Sequence, residues 1–446
     1  MIIDWLLERM SEFQERSAMI CIDEAVSYGG LLEGYRNWTK QLRESGVRSG
    51  EVVALEGDYS PAMAGAVLAC VANGNIVVPL TAEVSHKRGE FLGIAQAHVS
   101  VTVRGREWAA ERFYEGEHPN RLVKQLTESG NPGLILFTSG STGAPKAILH
   151  DLARFLERYK KPRETLRTLT FLLFDHIGGF NTLFHTLANG GTIIPPVSRM
   201  PDDICALIEK HRVELLPTSP SFLNLLLISE AYARYDLSSL KMITYGTEVM
   251  PDWTLRHLRE ALPQVELRQT YGLSELGILR TKTRESGSPW MTVGGEGIET
   301  RIVDGLLHIR SRWAMLGYLN APDPIDGEGW MNTQDEVVAD GDFIRILGRR
   351  SEIINVGGRK VYPMEVENVL LSMPELADVV VKGEMNPLLG QAVAAFVRPA
   401  CPLPARELKE RIRLYCRGRL EDYQVPVKVY VHEQDMYNER FKKIRK

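Results

Sequence analysis

The stretch Leu134-Ile135-Leu136-Phe137-Thr138-Ser139-Gly140-Ser141-Thr142-Gly143-Ala144-Pro145-Lys146 decides how the chain is read. Its apolar start predicts a buried strand, and the hydroxyls and glycines that follow predict a loop. Glycines let a backbone curl so that its amides approach anionic oxygens, and hydroxyls with a lysine complete a nest for polyphosphate. The lysine lacks the preceding glycine and following serine or threonine of P-loop NTPases, so that pattern is excluded. An ordinary surface loop has the same composition, and the rest of the chain has to decide.

Outward from this loop, strand-like and helix-like segments alternate. Val52–Leu55, Ile76–Leu80, Leu134–Thr138, Leu169–Phe174, Thr192–Pro195, Val213–Pro217 and Lys241–Thr244 read as strands, and Pro61–Val71 as a small-residue helix. Such alternation predicts parallel sheets covered by helices. Near residue 290 glycines become dense and short alternating strands appear, which predicts a small antiparallel sheet or barrel. A boundary falls at Gly348-Arg349-Arg350-Ser351, beyond which about a hundred residues carry β and α segments of their own. The expected architecture is α/β. Residues 1–348 form a large domain of stacked α/β sheets with a small β-barrel-like subdomain, and residues 349–446 form a small mobile α+β domain.

The 446 residues carry 53 basic and 57 acidic side chains, a net charge of −4, which argues against a nucleic-acid binder. Five cysteines lie far apart with no CxxC pair, so neither a disulfide framework nor a zinc cluster is expected and a cytoplasmic location fits. The opening segment reads as an amphipathic helix rather than a signal peptide. No apolar run is long enough for a membrane span.

The quoted stretch resembles the fingerprint of the adenylate-forming enzymes: Tyr/Phe-Thr-Ser-Gly-Ser/Thr-Thr-Gly-x-Pro-Lys-Gly. That family includes acyl- and aryl-CoA synthetases, peptide-synthetase adenylation domains and firefly luciferase. Phe137–Lys146 match throughout, and Ala147 replaces the usual last glycine. Further stretches resemble the family's motifs in order, from about Ser27-Tyr28 to the final residue. Thr270-Tyr271-Gly272-Leu273-Ser274-Glu275 matches the stretch that meets adenine and Mg²⁺, a cation that prefers oxygen ligands. Gly329-Trp330-Met331-Asn332-Thr333-Gln334-Asp335 resembles the ribose-binding motif, with Gln334 where glycine is usual. Gly348-Arg349 resembles the hinge motif, with Ser351 in place of its aspartate. Asn438–Lys446 resembles the closing motif, in which Lys443 falls at the catalytic lysine and Lys442 replaces a glycine. The chain reads as shorter than typical members, trimmed between Thr81 and Asn131 and at both ends.

The resemblance implies that the chain activates a carboxylic acid with ATP and passes the acyl group to a thiol. Thr138, Ser139, Gly140, Ser141, Thr142, Gly143 and Lys146 are then expected at the phosphates, with Thr138 also catalytic. Tyr271, Gly272 and Ser274 are expected at the nucleotide, Glu275 at Mg²⁺, and Asp335 and Arg349 at the ribose. Lys443 should bridge the acid and the α-phosphate, and Ser351 should mark the pivot between half-reactions. For the acid, Phe174-Asp175 looks like an amine anchor, but spacing to Gly190-Gly191 places His176 at the family's His-x-x-Gly motif. Ile177 then stands where the anchoring aspartate would be, and a buried ammonium there would lack its counter-charge. The expected substrate is therefore an acid without an α-amine, in a pocket that includes His176, Gly246 and Thr247. CoA or a phosphopantetheinyl carrier protein is the expected acceptor. A freestanding adenylation protein and a non-catalytic nucleotide-binding scaffold remain as alternatives.

Overall fold

The computed structural model describes residues 2–105, 107–139, 144–401, 403–432, 436–438 and 441–443, and four sheets organise them. The first runs in the order Glu266–Gln269, Met242–Tyr245, Leu215–Thr218, Arg167–Leu169, Thr192–Ile194, Ser17–Cys21, Glu24–Ser27. Every pairing in it is parallel except the last. The second has a parallel centre of Gly133–Ser139, Ile76–Leu80, Val52–Glu56 and Val99–Arg104, with antiparallel strands at both edges. One core joins these two sheets. Val53, Leu55, Leu134 and Leu136 from one meet Met19 and Ile193 from the other, around the helices Tyr28–Glu44, Pro61–Ala72 and Ile177–Ala188. Pro61–Ala72 is apolar nearly all round, as a helix buried between two layers must be.

The third sheet is antiparallel and spans Tyr271 to Arg349, and it starts earlier than the change of sequence texture near 290 suggests. The fourth contains only strands beyond residue 353 and packs the helices Pro363–Leu371 and Ala405–Cys416 around a separate core. Among the described residues, no helix is long and apolar enough to cross a membrane. The strand expected over Leu169–Phe174 stops at Leu169. Beyond it Phe171, Leu172 and Leu173 line a chamber, and Phe174 packs in the core between the two sheets.

Candidate active site

Ligands of open parallel sheets bind beyond the carboxyl ends of the strands. Four neighbouring strands of the first sheet end on one side here, and three of them feed a segment singled out in the sequence. Phe171–His176 follows Arg167–Leu169, Ser219 follows Leu215–Thr218, Gly246-Thr247 follows Met242–Tyr245, and Thr270–Glu275 follows Glu266–Gln269. Buried polar atoms collect at this edge. The Oγ1 atoms of Thr170 and Thr218 and Oε1 of Gln269 lack a hydrogen-bond partner among the described residues, which fits a place where a polar ligand or water completes the set.

A chamber at this edge is lined by Phe171, Leu172, Leu173, His176, Arg199, Thr247, Phe441 and Lys442. His176 caps the helix Ile177–Ala188, its Nδ1 accepting from the Gly178 amide at 3.1 Å, which fixes the ring. A Cβ at Gly179 would lie 1.9 Å from the Leu173 carbonyl oxygen, so the glycine of His-x-x-Gly is a steric requirement. Thr247 holds φ +73°, a left-handed conformation that is strained for a β-branched residue. Gly246 beside it has no room for a side chain, because a Cβ would meet Thr270 Oγ1 at 2.6 Å.

The stretch that opened the reading is a hairpin. Gly133–Ser139 pairs with Pro145–Asp151, bringing Thr138 opposite Lys146 and Ser139 opposite Pro145. Gly140, Ser141, Thr142 and Gly143 lie outside the described residues. Ala147 turns its methyl into the core, so its replacement of glycine costs no space. Lys146 Nζ stands 5.0 Å from the centre of the Tyr318 ring, a cation–π distance. The Tyr318 hydroxyl in turn donates to Glu275 Oε1 at 2.6 Å. Tyr318 thus ties the hairpin lysine to the carboxylate expected at the metal, and sequence reasoning missed it. The available signal was Gly317-Tyr318-Leu319-Asn320, where Asn320 also bridges the amide of Ala147 and the carbonyl of Pro145.

A second tie runs beneath the first. His150, on the outgoing hairpin strand, donates from Nε2 to the Ser274 carbonyl at 2.6 Å. Burial pushes this imidazole down to about 4, which keeps it neutral and fixes its tautomer. Ser274 and Glu275 sit in the turn between Tyr271–Leu273 and Gly277–Thr283, where a Cβ at Gly272 would meet the Gly277 carbonyl at 2.7 Å.

Asp335 is buried on its strand opposite Arg349. Its Oδ2 accepts from the Tyr271 hydroxyl at 2.5 Å, and Oδ1 lies 3.4 Å from Arg349 Nε. Burial raises the Asp335 carboxyl, and Arg349 opposes the shift. Three residues from three separate motifs therefore form one cluster. Gln334, where glycine was expected, keeps the left-handed geometry at φ +63°. Ser351 is exposed in the short turn Arg350–Glu352.

The end of the chain reaches the same edge. The Phe441 carbonyl accepts from the Ser219 hydroxyl at 2.7 Å, and the Lys443 amide donates to Glu248 Oε1 at 2.7 Å. The Lys443 side chain turns away from the chamber. Its Nζ lies 3.0 Å from Glu367 Oε2 and 2.8 Å from the Val379 carbonyl, in the small domain. The structure thus brings the backbone of Lys443 to the site, but not its ammonium to the hairpin. Among the described residues no cluster of three His, Cys, Asp or Glu side chains forms a metal cage. A lone Glu275 fits Mg²⁺, which is held by one or two carboxylates together with substrate phosphates and water.

Comparison with known proteins identifies the family and the fold. The family described as AMP-binding enzyme matches residues 6–319, and its C-terminal domain matches residues 365–442. Among curated relatives, indoleacetate–CoA ligase of Aromatoleum aromaticum is 26% identical over 96% of this chain and 93% of its own length. The 2-succinylbenzoate–CoA ligase of Bacillus subtilis is likewise 26% identical, with the same coverage. Among solved structures, the anthranilate CoA ligase AuaEII with anthranoyl-AMP shares the fold at a TM-score of 0.83 and 19% identity, covering 99% of this chain and 95% of that one. The Bacillus subtilis o-succinylbenzoate CoA synthetase with ATP and magnesium ion does so at 0.76 and 24%, covering 99% and 98%.

Proposed function

The chain belongs to the AMP-binding enzyme family, and from that premise we propose that it joins an aryl or arylalkyl carboxylic acid without an α-amine to CoA through an acyl-AMP. The observation that carries this reading is the convergence of the Lys146 hairpin, the Glu275 turn and the His176–Thr247 chamber at one sheet edge.

The reaction sets one anion, the acid, against another, the α-phosphate of ATP, so cations and donors have to be fixed in place beforehand. Thr138, Ser139, Gly140, Ser141, Thr142, Gly143 and Lys146 are assigned to the phosphates, supported by the hairpin register. Glu275 is assigned to Mg²⁺, which when bound supplies charge neutralisation on the phosphate oxygens. Asp335 and Arg349 are assigned to the ribose, because a buried carboxylate accepts hydrogen bonds from two neighbouring hydroxyls. Lys443 is assigned to the transferring acid. Its side chain must leave Glu367 to reach it, and we place the pivot for that movement at Ser351, with the domains dividing at 348/349.

The chamber supports the choice of acid. Its lining combines Phe171, Leu172 and Leu173 with the basic groups of Arg199 and Lys442 and, among the described residues, includes no carboxylate. An ammonium would find no counter-charge among the described lining residues, and an aromatic acid suits the apolar walls. The names of the curated relatives point to CoA as acceptor. Acid-dependent ATP–pyrophosphate exchange over a panel of aryl, short-chain and amino acids, followed by trapping with CoA or a carrier protein, tests the reading. Exchange with aryl acids and a CoA thioester is expected. Exchange confined to α-amino acids, or none at all, overturns it.

A further inference from the structure

The chamber assigned to the acid holds a ring of the protein's own. Phe441 comes from the far end of the chain, yet it is buried against walls supplied by the large domain. Its ring centre lies 5.3 Å from that of Phe171 and 5.8 Å from that of Phe222, and it stacks on Tyr437 at 5.0 Å. The space left beside it in the chamber is about 20 Å³. That is room for roughly one water molecule. No carboxylic acid with an aromatic ring fits until something moves.

The way Phe441 is held marks it as the part that moves. Its backbone has φ +50°, a conformation unfavourable for any residue with a Cβ, so the segment is bent to deliver the ring. Beyond its aromatic contacts, Phe441 itself is tied to the large domain, among the described residues, by the hydrogen bond from Ser219, and, two residues on, the Lys443 amide donates to Glu248. The rings it meets, by contrast, belong to the large domain's core: Phe171 is buried, and Phe222 is buried on the helix Pro220–Ser229. In the same conformation the Lys443 ammonium is engaged by Glu367, two residues along the chain.

We propose that Phe441 is a plug: its ring occupies the acyl end of the chamber, and an aryl acid binds by displacing it. The plug rests on the reading of the chamber as the acid site. Because plug and catalytic lysine share one short segment, expelling the ring also disturbs the contacts that hold Lys443 away from the reacting carboxyl.

Phenylacetate and indole-3-acetate binding, measured by calorimetry on the wild type and on Phe441→Ala, tests the competition. Removing the ring is expected to tighten binding of both acids about tenfold or more, since nothing then has to be expelled. Unchanged or weaker binding, or no binding to the variant, overturns the plug. A second measurement keeps the ring: 4-fluorophenylalanine at position 441 should give a buried ¹⁹F resonance that shifts to a solvent-like position on saturation with acid. A resonance that stays put while acid binds overturns the plug as well. Pyrophosphate exchange by the wild type separates the two ideas. Exchange with an unmoved ring removes the plug alone, and absence of exchange removes the acid-activating reading.

Discussion

The ion pair between Lys443 and Glu367 makes a demanding test, because one side chain is asked to do two jobs. Lys443 is 6% exposed and Glu367 fully buried, at 3.0 Å. Glu367 Oε1 also accepts from the Val381 amide at 2.9 Å. Asp378 is close enough that Lys443 lowers its carboxyl against the raising effect of burial. Removing the ammonium therefore takes the Lys443 charge from the buried Glu367 and weakens the positive field at Asp378, which Arg398 still supplies in part. Breaking a buried pair by deleting one partner costs about 3–5 kcal/mol. Lys443→Ala should lose ~3 kcal/mol in urea unfolding at neutral pH. If Lys443 also stabilises charge at the α-phosphate, pyrophosphate exchange falls by about 10²-fold or more, which is again ~3 kcal/mol. The two losses separate in the double variant Lys443→Ala/Glu367→Gln. Neutralising the acid should restore most of the stability and none of the exchange. Recovery of exchange in the double variant refutes the catalytic role, since the single variant would then have failed through its fold. Loss of exchange in Lys442→Ala, with Lys443→Ala active, refutes the register.

Two further substitutions address the ties between the hairpin and the Ser274–Glu275 turn. Tyr318→Phe keeps the ring under Lys146 but removes the hydroxyl from Glu275; a hydrogen bond to a charged group is worth about 1.5–3 kcal/mol, so the Mg²⁺ concentration for half-maximal exchange should rise roughly tenfold. An unchanged Mg²⁺ dependence would show that Tyr318 only packs. His150 has a folded value of about 4, below the ordinary 6.5, so the unfolded chain binds more protons between those values. The stability it contributes is present above pH 6.5 and lost as pH falls towards 4, about 3 kcal/mol in all. His150→Gln should therefore flatten the acid limb of a stability–pH curve relative to wild type, and parallel curves would contradict the account.

The fold was legible where the physics is local. Apolar runs bounded by glycines gave Ile76–Leu80 to the residue, and Gly133–Ser139 to within one residue at each end, because buried parallel strands need continuous apolar sequence. The run 169–174 misled for the same reason. Phe171, Leu172 and Leu173 are as apolar as a strand, but they line a chamber instead of pairing, and hydrophobicity does not distinguish the two uses. Resemblance to the family's motifs singled out Tyr271, Asp335 and Arg349 one by one, and their meeting in one cluster appears only in the structure. Tyr318 escaped notice because its role comes from an edge pairing, Tyr318 opposite Ile148, that joins segments about 170 residues apart.

The adjacent lysines Lys442 and Lys443 mark where sequence stops informing. Register against a motif identifies a position along the chain, whereas catalysis depends on where the side chain points. Lys442 and Lys443 follow a left-handed residue, Phe441, in a segment with little regular pairing, so no helical or strand periodicity sets their directions. What sets them is tertiary. Lys442 meets the chamber, and Lys443 meets a fully buried Glu367 on a helix 76 positions earlier. Glu367 would itself have been hard to assign from sequence, since an acid on an amphipathic helix usually faces water. It is buried because the Lys443 ammonium and the Val381 amide satisfy it. If Lys443 is the group needed at the phosphoanhydride, it cannot also serve as the counter-ion of Glu367 in one conformation, and the ion pair then belongs to a state from which the chain has to depart in order to react.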